Sequence, residues 1–210
     1  MRTRILAALA LIAAALIASC TSTEAGTPRA STTSSDTPTT SAPTTTATSG
    51  LPAYGAPKVQ NPIEDARRFQ DNPCSMLTTE QVRELFGEPL QGEARDGTTG
   101  PACNWRDGRG ATLGILWASN FKQGLSPFYA NRADTDFFEE LPAIDGNPTV
   151  AYGGSDDRET GTCLVLVGVT DELVYQVGVG QSPSKIGNTD PCEVAHTIAG
   201  MTLDTMRGGA

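Results

Sequence analysis

The sequence predicts an α+β fold: an antiparallel sheet with helices packed on one face and two intradomain disulfides, as a single domain. Three observations predict it. Strand-like segments come in pairs joined by short turns, which is how antiparallel hairpins read. In one of them Leu173, Tyr175, Val177 and Val179 alternate with Val174, Gln176, Gly178 and Gly180; that period means one packed face and one wet face. Four cysteines (Cys74, Cys103, Cys163 and Cys192) fall within the same stretch, at two equal spacings of 29 positions.

The chain begins with a leader. Arg2 and Arg4 precede an uninterrupted run of Ile, Leu and Ala from Ile5 to Ala18, and small residues Ala18 and Ser19 lead into Cys20. That is the layout of a secretory signal peptide over residues 1–19. The apolar run is short for a membrane span, which takes roughly 20 residues. "IASC" (17–20) resembles the lipobox of bacterial lipoproteins. The resemblance implies cleavage before Cys20, a diacylglyceryl group on its sulfur and acylation of the new amino terminus. Two acyl chains hold a protein stably where one does not, so the expected place is the outer face of the cell membrane. An ordinary secreted protein, or one held by an uncleaved signal, is the alternative.

Residues 20–60 are read as the lipidated cysteine and a tether. Residues 21–49 hold 18 Ser or Thr among 29, with Pro28, Pro38 and Pro43 and no aromatic, Leu, Ile, Val or Met residue. Such a stretch cannot bury enough apolar surface to offset its ordering entropy, and its composition suits O-glycosylation. The globular domain is assigned to residues 61–210, of ordinary single-domain size.

Within it, "NPIE" (61–64) offers Asn61 as an N-cap with Pro62 in the first turn, predicting a helix to about Gln70. "LTTEQVRELFGEP" (77–89) predicts a second, with Thr78 and Gln81 as a capping box, Leu77 and Val82 as a staple, and Gly87 and Pro89 as the stop. "ACNWR" and "ATLGILWAS" flank the turn "DGRG" (107–110). "TCLVLVGV" and "ELVYQVGVG" flank Thr170–Asp171, and "NPTVAYG" (147–153) reads as a further strand. The last segment, 190–206, predicts a helix with Val194, Ile198, Met201 and Thr205 on one stripe. Trp105 is expected against the Cys103 bridge, and Trp117 in the core with Leu113 and Ile115.

Four cysteines allow three pairings. The equal spacing favours Cys74–Cys103 and Cys163–Cys192. A Cys₄ zinc site is the other use, but no C-x₂-C pair is present and an exported chain favours disulfides. From residue 51 onward, 12 Lys/Arg stand against 22 Asp/Glu, a net of −10. An acidic domain without a basic cluster gives no basis for nucleic-acid binding.

Catalytic motifs are sparse. His196 is the only histidine; it lies opposite the predicted apolar stripe and reads as a surface residue. One histidine excludes H-E-x-x-H zinc chemistry, and no G-x-S-x-G elbow is present. Ser182-Pro183-Ser184-Lys185 is an S-x-x-K without its partner motifs and reads as a loop coincidence. Asp134, Asp136, Glu139 and Glu140, and Asp156, Asp157 and Glu159, are two acidic clusters. They read first as solvated loops, with calcium and two-carboxylate catalysis as alternatives. No metal site, catalytic residue or cofactor is assigned. Phe128, Tyr129, Phe137 and Phe138 stand in a polar segment and are expected either in a helical lid over the core or at the rim of an apolar ligand groove.

"NPCSMLTTEQVRELFG" (72–87), "CNW" (103–105), "GTCLVLVGV" (161–169) and "DPCEVAHTIAG" (190–200) together resemble the actinobacterial lipoproteins grouped as domain of unknown function 3558. Asn72 stands where Asp is common before Pro-Cys. The resemblance spans about residues 70–206 and implies an exported, membrane-anchored α+β domain; it implies no activity. The expected function is a non-catalytic surface module that binds a protein partner or cell-envelope component. The alternatives are a carrier or sensor for a small apolar or lipid ligand and, last, an envelope hydrolase.

Overall fold

The computed structural model describes residues 50–209; Cys20, the signal segment and residues 21–49 lie outside them. The chain lays down β1 (Glu93–Asp96), β2 (Pro101–Arg106) and β3 (Thr112–Trp117). It then crosses to the far edge for β4 (Phe137–Ile144), and returns through β5 (Asn147–Gly153), β6 (Thr162–Gly168) and β7 (Val174–Gly180). The order is β1-β2-β3-β7-β6-β5-β4, with every pairing antiparallel. The last strand therefore closes the sheet in its middle, with Ile115 opposite Val177 and Val165 opposite Val177 on its other side.

Helices α1 (Arg67–Asp71), α2 (Thr79–Phe86) and α4 (Pro191–Arg207), with a 3₁₀ turn at Pro73–Met76, cover one face. Beneath them Ile115, Trp117, Val165, Val167, Tyr175 and Val177 are fully buried. Trp117 Nε1 donates to Phe69 O at 3.1 Å, and Tyr175 Oη meets Thr202 Oγ1 at 2.6 Å and Ala199 O at 3.2 Å. Each large aromatic thus buries its ring and still satisfies its polar atom. The disulfides are Cys74–Cys103 and Cys163–Cys192. The first staples the 3₁₀ turn to β2, the second staples β6 to the first turn of α4.

The capping box forms: Gln81 N donates to Thr78 Oγ1, and Thr78 N donates to Gln81 Oε1. Gly87, at φ 76°, ends α2 in the left-handed region. Asp190 caps α4 by accepting from Cys192 N at 2.7 Å.

Four expectations need correction. The helix anticipated from Asn61 begins only at Arg67. Gln60 N donates to Gly146 O and Ile63 N to Val169 O, while Asn61 O accepts from Arg207. These contacts hold residues 60–63 in an irregular loop, and tertiary bonding outweighs a local cap signal. For the same reason the tether boundary at residue 60 is too late. Ala56 and Val59 are buried, Ala53 N donates to Ser126 Oγ and Val59 N donates to Asp171 Oδ1. On α4 the buried face runs through Ala195, Ile198, Ala199, Thr202, Leu203 and Met206, with Val194 and Met201 at its margin. Two alanines and a threonine hide that face from a hydrophobicity count. His196 is half-buried, not fully exposed; its Nε2 lies 2.7 Å from Pro142 O and ties α4 to the edge strand β4.

Among the described residues, the second face of the sheet is covered at one end only. There α3 (Ser126–Ala130) and residues 53–59 pack Ala56, Leu125 and Tyr129 against Val150, Leu166 and Val174. Among the described residues, the rest of that face, across β1, β2, β3 and the outer part of β7, has no helix on it.

Candidate ligand groove

The β2–β3 turn is built by Asp107. Its Oδ1 accepts from the amides of Arg109 and Ala111 at 2.9 and 2.8 Å, and Gly110 takes φ 97° to complete the reversal. This aims Arg109 outward, where three acceptors hold its guanidinium. Nε donates to Asp107 Oδ2 at 3.0 Å, and Nη2 donates to Phe86 O at 2.6 Å and Glu88 Oε1 at 3.3 Å. Phe86 O is available because Gly87 terminates α2 there. Burial pushes the Asp107 carboxyl up, but the bonds from the Arg109 side chain and the two amides outweigh it and hold the group below its ordinary value.

Between this turn, the carboxyl end of α2, the end of β7 and the first turns of α4 lies a groove of 430 Å³. Its walls are Leu85, Phe86, Leu113, Val179, Val194 and Ile198, and its mouth carries Arg109, Ser182, Ser184, Lys185 and Thr189. The loop after β7 brings the mouth residues in. Lys185 N donates to Ser182 O at 2.8 Å in a tight turn, and Ser182 Oγ lies 3.3 Å from Ser184 Oγ. A Cβ placed on Gly110 would stand 3.4 Å from Pro183 Cδ, so the turn and this loop lie side by side. The volume and the mix of apolar wall with few polar groups are those of small-molecule sites, which run from about 300 to 1,000 Å³.

On the opposite face of the same strands is a shallow trough. Gly114 and Gly178, paired across β3 and β7, form its floor; Ala102, Leu116, Leu164, Asn104 and Gln176 stand around it. No other part of the described chain covers it.

The aromatic residues Phe128, Tyr129, Phe137 and Phe138 do not share one rim. Phe128, Tyr129 and Phe138 gather on the α3 side with Tyr152, edge to face, at centroid distances of 5.1 to 6.5 Å. Phe137 is next to Phe138 on a strand and so points to the other face, where Arg158 lies over its ring at 4.7 Å. Neither the groove nor the trough is lined by these residues. Tyr129 is buried, consistent with a lid.

Arg158 also organises the acidic clusters. It binds Asp156 at 2.6 and 2.8 Å and Glu139 at 3.2 Å, and it holds the Asp156 carboxyl below its ordinary value. Among the described residues no group of three or more His, Cys, Asp or Glu is arranged to hold a metal ion. Sequence reading missed the groove because its lining comes from four separated segments. The one local signal inside it, Ser182-Pro183-Ser184-Lys185, points toward a different chemistry.

No curated protein and no solved structure matches the chain. The family model described as "Protein of unknown function (DUF3558)" matches residues 15–205, nearly all of the described domain, and the chain belongs to that family.

Proposed function

We propose that this is an exported lipoprotein of the actinobacterial type, anchored through Cys20 to the extracytoplasmic face of the cell membrane. Its domain is a non-catalytic module that binds a cell-envelope component. The signal segment, the lipobox-like "IASC" and the Ser/Thr/Pro-rich tether support the address. Two disulfides suit an oxidising compartment.

The groove carries the binding reading. It offers apolar walls and a few polar groups at one mouth, the form of a ligand site. Its one carboxylate is engaged structurally, since Asp107 has its oxygens filled by Arg109 and Ala111, and Ser182 faces Ser184 with no histidine near it. A protein partner on the trough is the second reading, favoured by the half-buried Leu116 and Leu164 around a glycine floor.

A photoreactive residue placed at Ala111, and separately at Leu164, tests the two in intact cells. A small-molecule adduct at 111 supports the groove. An adduct at 164 alone moves the function to a protein interface, and no adduct at either site contradicts both. Membrane fractionation of Cys20→Ala tests the anchor; a variant that stays in the membrane fraction rules it out.

A further inference from the structure

We propose that the groove takes a single-chain amphiphile with an anionic head: its tail lies along Leu85, Phe86, Val194 and Ile198, and its head sits between Arg109 and Lys185. This rests on the groove being the binding site, as proposed above.

The charges at the mouth carry the assignment. Three charged side chains line the groove: Asp107, Arg109 and Lys185. Asp107 is spent, its two oxygens accepting from Arg109 and from the amides of Arg109 and Ala111. Arg109 is fixed through Nε and Nη2, while among the described residues its Nη1 has no acceptor. Lys185 is exposed, and its ammonium has no acidic partner among the described residues. A guanidinium already held in place loses little freedom on binding, which favours it as the anion donor. With Asp107 and Glu88 both on Arg109, the one charge left uncompensated at the mouth is the Lys185 ammonium, in a domain of net −10.

A cationic amphiphile would place like charges together, which disfavours it. Arg109 already has Asp107 and Glu88 as counter-charges, but a wholly apolar ligand would cover the walls and leave the Lys185 ammonium without one. At 430 Å³ the groove lies near the small end of ligand pockets, which selects one chain over two. The anionic head has two natural sources, a free carboxylate and a phosphate ester.

The test uses the chain purified from an exporting host. Binding of dodecanoate, dodecyl phosphate and dodecyltrimethylammonium is measured by calorimetry below their micelle concentrations. The expected result is binding of both anions at least tenfold tighter than the cation. Lys185→Ala should weaken the anions by up to about fivefold, the upper end for an exposed ion pair, and Lys185→Glu should weaken them further. Both variants are at an exposed loop position and leave Asp107 and Arg109 in place. A preference between the two anions tells the carboxylate source from the phosphate source, and either one supports the proposal. Equal binding of the cation overturns the anionic head while the groove stands. Binding of none of the three overturns the head and the groove reading together.

Discussion

Consider removal of the Cys163–Cys192 bridge by Cys163→Ala with Cys192→Ala. Both sulfurs are in buried residues, and the bridge fixes the second residue of β6 to the first turn of α4 across a separation of 29. The chain-entropy model assigns a loop of that size about 12 cal/mol/K, or about 3.6 kcal/mol at 25 °C. In urea, with a slope of about 2 kcal/mol/M, the unfolding midpoint should fall by about 1.8 M. The Cys74–Cys103 bridge closes a loop of the same separation, so Cys74→Ala with Cys103→Ala should lose a similar amount. Removing both takes about 7 kcal/mol, comparable with the whole stability of an ordinary domain. The measurement is urea unfolding followed by tryptophan fluorescence, since Trp105 packs beside Cys103 and Trp117 lies in the core. A shift below about 0.5 M in either double variant would refute the loop-entropy reasoning.

Further predictions concern the core and its polar ties. Tyr175→Phe removes the hydroxyl that meets Thr202 and Ala199. It should cost about 1 to 2 kcal/mol and lower Tm by about 3 to 6 °C; an unchanged Tm in scanning calorimetry would show that the bond adds nothing. Gln81→Ala breaks the capping box and the bonds to Met201 O and Thr205 on α4, for a loss of about 1 to 2 kcal/mol read by denaturant titration. Gly92→Ala should cost more than either. A Cβ there would collide with Cys103 Sγ and stand 2.8 Å from Trp105 Cε2, and near-UV circular dichroism of the Trp105 environment would report the displacement. Alkaline stability follows Tyr129. Burial, and then the Glu140 charge, push its hydroxyl up to about 12. The folded value is above the unfolded one, so this contribution is fully present below about pH 10 and is lost as pH rises toward 12. A stability profile flat from pH 9 to 12 would contradict that burial.

Much of the fold is legible locally. Thr78 and Gln81 specify their helix start, Gly87 its end, and the alternation through Tyr175, Val177 and Val179 fixes the buried face of the central strand. The equal cysteine spacing yields the pairing. What is not legible depends on distant partners. The edge strand β4, "FFEELPAI", has no two-residue period and carries Pro142, so it does not look like a strand until β5 pairs with it. Residues 60–63 have a helix cap signal that bonds to Gly146 and Val169 override. The buried face of α4 relies on Ala195 and Ala199, whose small side chains mark close packing and not hydrophobicity. The groove is least legible of all. Leu85, Leu113, Val179 and Ile198 meet only after the sheet closes, and Lys185 stands in a motif whose usual meaning is different.

The central claim, that the domain holds an envelope-derived ligand in the groove, is tested most directly by native mass spectrometry. The full chain would be purified from an exporting host and weighed before and after denaturation. The account predicts an extra mass that vanishes on denaturation and is absent from an Ala111→Trp variant, whose new side chain fills the groove. A bare mass in the parent chain, or an extra mass that persists unchanged in Ala111→Trp, would contradict it.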